Sequence, residues 1–369
     1  MSQAAQLSYL QGGQMHGALA AIPGGAKGPG SLANAILDHG FQPGVLRPYI
    51  DPDTRESVIT VNENGEEKVV LANAVATLQY DEWRHIDQTV MNIAKPRLKV
   101  NNWLRGKGLV YNLPNALGHP VLSTERVSDM SDATISMDAL AAGDNDRPVY
   151  DMENTPIPIV SKQLEINARE LAISRNRGTP LDTTKISLAT RRVVEAMEKL
   201  SIGSWGSYTY GGSSLYGMIN SPKRLTSTFT DPVTGGWTPE ALYNQVLGWV
   251  ETIINNNHEG GLKLWYGTGM VGTMMKLFNT YNAVPLASKL QEIPNISSVE
   301  FCPYLTGKRI ILCEENADVI RLIFGMDITT LQWEQKGGLL IGMIIMGIMV
   351  PQIRNDLDSQ TGILDATAV

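Results

Sequence analysis

The stretch from Thr155 to Ser201 constrains this chain most, because it sets an extended segment and a long amphipathic helix close together in sequence. In Thr155-Pro156-Ile157-Pro158-Ile159 each proline drives the preceding residue toward β or polyproline geometry. Helix then takes over. Thr179-Pro180-Leu181-Asp182-Thr183 supplies capping side chains, and apolar residues follow at Ile186, Ala189, Val193, Met197 and Leu200, spacings of three and four. The opposite face carries Lys185, Arg191, Arg192, Glu195 and Lys199, with Glu195 and Lys199 in the favourable i,i+4 order. At about 1.5 Å per residue, roughly 18 residues of helix span about 27 Å, the width of a small domain. The pattern predicts a spine whose core face is those five apolar residues.

A chain of 369 residues exceeds one typical domain, which gives two domains or one domain with long arms. Charged residues make up 18% of it, against about 25% in ordinary globular proteins. Burial against copies of itself would deplete charge in this way, and so would a neutral polar surface rich in Gly, Asn, Ser and Thr. A net charge of −7 argues against a dedicated nucleic-acid binder but leaves room for a locally basic face. Cys302 and Cys313 fall in stretches that read as neighbouring strands, which suits reduced core thiols rather than a disulfide framework. The N-terminus lacks the basic start and apolar core of a signal peptide. The apolar run from Gly337 to Val350 is broken by Gly342 and Gly347 and closed by Pro351. A membrane span needs about 20 residues, so the run predicts a strand buried on both faces and no membrane partner.

Residues 1 to about 57 are glycine-punctuated and poor in charge, the composition of an arm or a tail. Asn64-Gly65 between Ser57–Val61 and Lys68–Leu71 signals a hairpin. Asp81 can cap a helix carrying Ile86, Val90 and Ile93, which Pro96 limits. Lys95, Arg97, Lys99, Arg105 and Lys107 then form a basic segment, either a solvated face or an internal surface touching nucleic acid or a partner. Residues 108–154 are long and irregular, with strand-like fragments at Leu109-Val110-Tyr111 and Thr134-Ile135-Ser136, and suggest a two-stranded flap that must lie on something. Beyond the spine, Thr238-Pro239-Glu240 starts a helix, Leu262–Tyr266 reads as a strand, and helix returns at about Met270–Asn279 and Leu286–Glu292. Strands dominate the remainder, including Gly362–Ala366.

Gly267-Thr268-Gly269-Met270-Val271-Gly272 is a formal G-x-G-x-x-G between a strand and a helix. No parallel βαβ unit is evident around it, and Lys289-Leu290-Gln291-Glu292 stands where an acid ending a second strand belongs, so the motif reads as a tight turn. The five histidines are scattered singly, and no nucleophile elbow or Walker A sequence occurs. No catalytic residue, cofactor site or metal site is predicted.

The order of elements over roughly residues 80–353 resembles the major capsid proteins of tailed bacteriophages with the HK97 fold, to which encapsulin shell proteins are related. The likeness is most specific at Pro156-Ile157-Pro158, at Glu165-Ile166-Asn167-Ala168-Arg169-Glu170-Leu171, and from Ala189-Thr190-Arg191-Arg192-Val193 to Leu200. Tyr216-Gly217-Met218-Ile219-Asn220 is similar to the segment entering that family's axial domain. The resemblance implies an α+β capsid fold: an N-terminal arm with hairpin (1–79), a first helix and basic segment (80–107), an extended loop (108–154), a peripheral domain (155–220 and 319–369) and an axial domain (221–318). It also implies that Asp327, Trp333, Glu334 and Lys336 sit on a loop (325–338) meeting neighbours at threefold positions, and that the basic segment faces the interior. The partners implied are many copies of the chain as pentamers and hexamers, a portal, packaged double-stranded DNA held non-specifically, a separate scaffolding protein and a decoration protein. The expected setting is a virion assembled in the host bacterial cytoplasm. Family members that weld their subunits use a lysine of the extended loop; no lysine lies between Lys107 and Lys162, so closure without covalent links is expected. The alternatives are an encapsulin-like compartment around a cargo enzyme and, remotely, a nucleotide-binding enzyme using the glycine turn.

Overall fold

A computed structural model describes residues 49–50, 57–58, 60–63, 66–69 and 78, and then 80–369 except 129, 131–134, 136, 138–146, 178–182, 234–236, 280, 282, 337–338 and 356–360. Residues 1–48, most of the expected arm, lie outside that set. Strand β1 (Tyr49–Ile50) pairs with β2 (Ser57–Val58), and β3 (Thr60–Glu63) with β4 (Glu66–Val69), both antiparallel. Glu63 stands opposite Glu66, the two-residue spacing expected around Asn64-Gly65.

Helices α1 (Tyr80–Arg97) and α2 (Lys99–Gly106) are followed by β5 (Val110–Asn112), β6 (Val121–Val127), β7 (Tyr150–Pro156) and β8 (Val160–Asn167). Next come α3 (Ala168–Arg177), the spine α4 (Thr184–Ile202), and the short strands β9 (Tyr208–Tyr210) and β10 (Ser213–Leu215). The rest comprises β11 (Leu225–Phe229), α5 (Pro239–Asn255), β12 (Leu262–Tyr266), α6 (Val271–Met274), α7 (Leu286–Gln291), β13 (Ile296–Phe301), β14 (Arg309–Glu314), β15 (Ile320–Gln335), β16 (Leu340–Ile353) and β17 (Ile363–Ala368).

The first lobe is a four-stranded sheet in the order β5-β15-β16-β8 with α4 laid across it. Strand β16 is central, which explains why its run lacks polar alternation: Ile341, Met343, Ile345, Ile348, Met349 and Val350 are all buried. Ile186, Ala189, Val193, Met197 and Leu200 are buried on the sheet side of α4. Thr183 occupies the N-cap without a side-chain hydrogen bond, and 179–182 lie outside the described residues. The helix ends at Gly203, whose φ of 96° only glycine adopts readily and whose N–H donates to Lys199 O at 2.8 Å.

The second lobe is a five-stranded sheet in the order β11-β17-β14-β12-β13. Alternation buries both of its faces. On β14, Ile310 and Leu312 join α5 and α7, while Ile311 and Cys313 join the core shared with the first lobe. The lobes therefore share one apolar seam, crossed by Trp103 of α2 against Trp265 of β12, ring centroids 5.8 Å apart and edge to face.

Several expectations require correction. Strand β17 belongs to the second sheet rather than to the peripheral domain, because it pairs with β14 and β11 and buries Leu364 and Ala366 in the second core. The anticipated loop at 325–338 is strand through Gln335, since β15 continues opposite β16 past a bulge near Asp327. Within 108–154, β5 joins the first sheet parallel to β15. Pro96 does not end the first helix, which runs to Arg97 and resumes after Leu98 as α2. Helix near Met270–Asn279 shrinks to one 3₁₀ turn and α6. Cys302 and Cys313 are free and buried as expected, yet β12 lies between their strands.

The break at Leu98 leaves the first N–H groups of α2 buried with no local acceptor. Glu198, fully buried on α4, supplies one. Val100 N donates to Oε1 at 2.5 Å and Asn101 N to Oε2 at 3.4 Å. Burial raises this carboxyl to about 7, against the opposing pull of those backbone N–H groups and of Lys99. The folded chain therefore holds this proton more tightly than the unfolded one, so the contribution of Glu198 to stability falls as pH rises from about 4.5 to about 7 and is level above that. The loss amounts to about 3 kcal/mol. Urea midpoints of the protein should decline across that window relative to Glu198→Gln; parallel curves for the two would refute the assignment.

Candidate assembly surfaces

Strands β6 and β7 form a two-stranded ribbon, Val121 opposite Pro156 and Val127 opposite Tyr150. Its base is tied down twice. Gln352 Nε2 at the end of β16 donates to Thr124 Oγ1 at 3.1 Å, and Arg126 Nη1 reaches Asn355 Oδ1 at 3.3 Å. On the side of the second lobe, Lys223 Nζ contacts both carboxylate oxygens of Glu153 at 2.5 Å. Arg126 joins the cluster through Asp151 at 2.5 Å and Glu153 at 3.6 Å. Burial lowers the Lys223 ammonium below the ordinary lysine range, and Glu153 opposes that shift. Within and beyond this clamp the ribbon presents apolar surface to solvent: Val149, Tyr150 and Met152 are each about three-fifths exposed, and Ile135 and Met137 are fully exposed.

A groove of about 490 Å³ runs between the start of β8 and α4. Ile159, Val160 and Leu200 line its floor, with Trp205 and Tyr208 at one end and Lys162, Arg192 and Lys199 along its rim. A smaller hollow of about 240 Å³, formed by Leu117, His119, Ile157 and Tyr210 among others, continues it past Pro158. Trp205 is 57% exposed and Ile159 48%, so the groove is apolar and open in the single chain.

The basic segment is divided among different neighbours. Lys99 Nζ donates to Phe301 O at 3.0 Å, Lys107 pairs with Glu315 at 2.7 Å, and Arg97 Nη1 donates to Ile93 O at 3.3 Å. Arg105 lies over the Phe324 ring and 4.0 Å from Asp327, while Lys95 is exposed. The contact between Arg105 and Asp327 brings two of the anticipated residue sets together. Trp333 packs across Gly342, where a Cβ would stand 2.3 Å from its ring, so its indole braces the hairpin of β15 and β16. Glu334 stands opposite Ile341 in the strand register, and Lys336, exposed with φ of 50°, begins the turn.

The first four N–H groups of the glycine turn are already engaged within the chain. Gly267 N donates to Arg309 O, Thr268 N to Leu305 O, Gly269 N to Gly307 O and Met270 N to Gly267 O, all within 3.0 Å. Close approach explains the first two glycines: a Cβ would fall 2.7 Å from Gly307 O at position 267 and 2.9 Å from Gly307 C at 269. The parallel pair that the sequence concealed does exist, since β12 and β13 run side by side in the same direction. Among the described residues no group of acidic, histidine or cysteine side chains could hold a metal ion.

Sequence and structure comparisons fit this architecture. A family of unknown function, DUF6260, matches residues 73–366. The chain belongs to the DUF6260 family. No curated protein matches this DUF6260 member by sequence. The crystal structure of a virus-like particle from Pyrococcus furiosus superposes with a TM-score of 0.57 at 14% identity, covering 78% of this chain and 98% of that one. The capsid of the native GTA particle gives 0.54 at 11%, covering 91% and 99%. The capsid of Myoviridae phage XM1 gives 0.52 at 9%, covering 68% and 86%. This DUF6260 chain has the HK97 capsid fold, α+β as the resemblance implied.

Replacing Lys223 by Met leaves Glu153 half-buried without its ammonium, a loss of about 1–2 kcal/mol confined to the ribbon base. Amide exchange over residues 150–156 should quicken by roughly 5- to 30-fold, with little change in α4. Unchanged exchange in β7 would show that other contacts hold the ribbon.

Proposed function

We propose that this DUF6260 protein is the major capsid protein of a tailed bacteriophage. Copies of it close into an icosahedral shell of pentamers and hexamers around packaged double-stranded DNA, assembled in the host cytoplasm. The observation that carries this reading is an HK97-fold body bearing a ribbon whose apolar residues, Ile135 and Met137 above all, are exposed among the described residues. A folded monomer rarely leaves such residues fully in water. Docking one body places its ribbon and arm at high effective concentration over the next, so many modest contacts act together. Nothing in this reading requires catalysis. A portal, a separate scaffolding protein and a decoration protein are the further partners expected, and Lys95 and Arg97 are the basic residues proposed to face the DNA.

The overlay with the virus-like particle favours a second reading, a protein-filled compartment of the same architecture. The contents decide between them: nuclease-protected DNA in purified particles supports a phage capsid, and a stoichiometric protein cargo supports the compartment.

Light scattering behind size exclusion, with the leading peak viewed in negative stain, should give megadalton particles with icosahedral outlines. A 40.3 kDa species that stays monomeric with and without the candidate scaffolding protein would overturn the proposal. Deleting residues 1–50 should leave folded subunits that do not close stable shells. Boiling intact particles in SDS should release single chains, without a ladder.

A further inference from the structure

The groove over Ile159 and the smaller hollow past Pro158 form one trough, since Pro158, Ile159 and Tyr208 line both. Trp205 stands in the wide part and Tyr210 in the narrow part, with Tyr208 between them. Tyr208 and Tyr210, two residues apart on β9, share one face of their strand. All three rings are open to solvent, which leaves a row of aromatic surfaces along an apolar floor.

The backbone of the hollow offers little to a β-strand. Pro120 and Pro158 have no N–H, Ile157 N donates to Pro120 O at 2.9 Å, and His119 N donates to Ala116 O at 3.2 Å. Tyr208 and Tyr210 are paired with β10, opposite Leu215 and Ser213. Side chains supply donors instead, through the indole N–H of Trp205 and the two phenols. A polyproline II segment suits such a wall: it is extended and pre-formed, needs no ladder of backbone hydrogen bonds, and sets its rings between aromatic side chains. Charge narrows the occupant further. Lys162, Arg192 and Lys199 rim the wide part against one carboxylate, Glu195, which Arg191 and Arg192 already engage at 3.2 and 3.3 Å.

We propose that this trough is the docking site for an extended proline-rich segment of a separate protein, with acidic residues flanking its prolines. The prolines seat against Trp205, Tyr208 and Tyr210, and the acids lie against Lys162 and Lys199. Long-range attraction to the cationic rim speeds the encounter, and the aromatic rings hold the bound segment. The site is complete within one chain, so it needs no neighbouring copy and does not depend on the shell reading.

Anisotropy titrations of the full chain with a panel of fluorescent peptides test it, each peptide having a Pro-x-x-Pro core varied at x and a pair of aspartates at either end. At least one should bind saturably. Trp205→Ala and Tyr210→Ala should each weaken that binding about tenfold. Their unfolding midpoints should stay unchanged, because both rings are at least half exposed. Exchanging the aspartates of the peptide for lysines should cost about tenfold at low salt, and Lys162→Glu with Lys199→Glu should restore the lysine peptide. A peptide with the same ends and alternating Thr and Val in place of the core should not bind. Failure of every panel member to bind would overturn the proposal. Equal or tighter binding of the Thr-Val peptide would also overturn it, in favour of strand addition at the β8 edge. Affinity unmoved by both aromatic variants would place the peptide elsewhere and reject the trough. Self-association of the chain lost in Trp205→Ala, without peptide binding, would assign the trough to a second copy instead.

Discussion

The buried carboxylate of Glu198 is the constraint through which the two lobes are held in register. Leu98 interrupts the backbone between α1 and α2 and has no side chain able to accept a hydrogen bond, so α2 begins with donors sealed from water. Leaving one such N–H unpaired costs about 1–3 kcal/mol. Glu198 offsets that cost from α4, at the expense of its own desolvation, and the outcome of the contest is visible in the direction of its shift: burial outweighs the N–H groups and Lys99. Because the cap is tertiary, the orientation of α2 is dictated by the spine. Trp103 then follows, donating to Glu315 Oε1 at 3.0 Å while its ring meets Trp265. The same Glu315 pairs with Lys107. Burial pushes the Glu315 carboxyl up, but Lys107 and the donors Trp103 and Ser297 prevail and hold it below the ordinary range. One short helix thus carries a chain of polar contacts from the spine to the end of β14.

What the sequence made legible depended on how local the deciding physics was. The spine could be read because a helix buried along one face must repeat at three and four, and Ile186 through Leu200 do so. Strand β16 could be read because a strand covered on both sides has no polar alternation to keep. The turn at Asn64-Gly65 needed only its own dihedral preferences. Strand β17 is different: six residues with three buried apolar positions look alike whichever sheet receives them, and only the pairing with β14 and β11 decides. The parallel pairing of β12 and β13 was concealed because the crossover holds only the short helices α6 and α7, too brief to announce a βαβ unit. Helix α2 was hidden behind Pro96 and the basic residues, although Val100 and Leu104 carry an i,i+4 signal. At the surfaces, the basic segment reads as one block in sequence, whereas its members face Phe301, Phe324 and Glu315 on three different strands or their ends. The groove escaped sequence reasoning altogether, since Ile159, Lys199 and Trp205 meet only once α4 has packed on β8.

These contacts separate a rigid body from its projecting part. The shared seam of Trp103, Trp265, Ile311 and Ile341 would have to open for the lobes to move apart, and close-packed cores of this kind rearrange in discrete steps rather than by continuous deformation. The ribbon is held otherwise. Its attachment through Glu153, Lys223, Arg126 and Asp151 is polar and partly exposed, so it is weaker per contact and sensitive to ionic strength. The proposed shell would need both properties, because hexamers and pentamers would ask the same chain to meet its neighbours at different angles. In such a shell the apolar seam would keep the body constant while the polar clamp would let the ribbon take up the difference. Burying the clamp more deeply would gain rigidity and lose that tolerance, which gives a physical reason for charge to concentrate at the ribbon base in a chain otherwise poor in it.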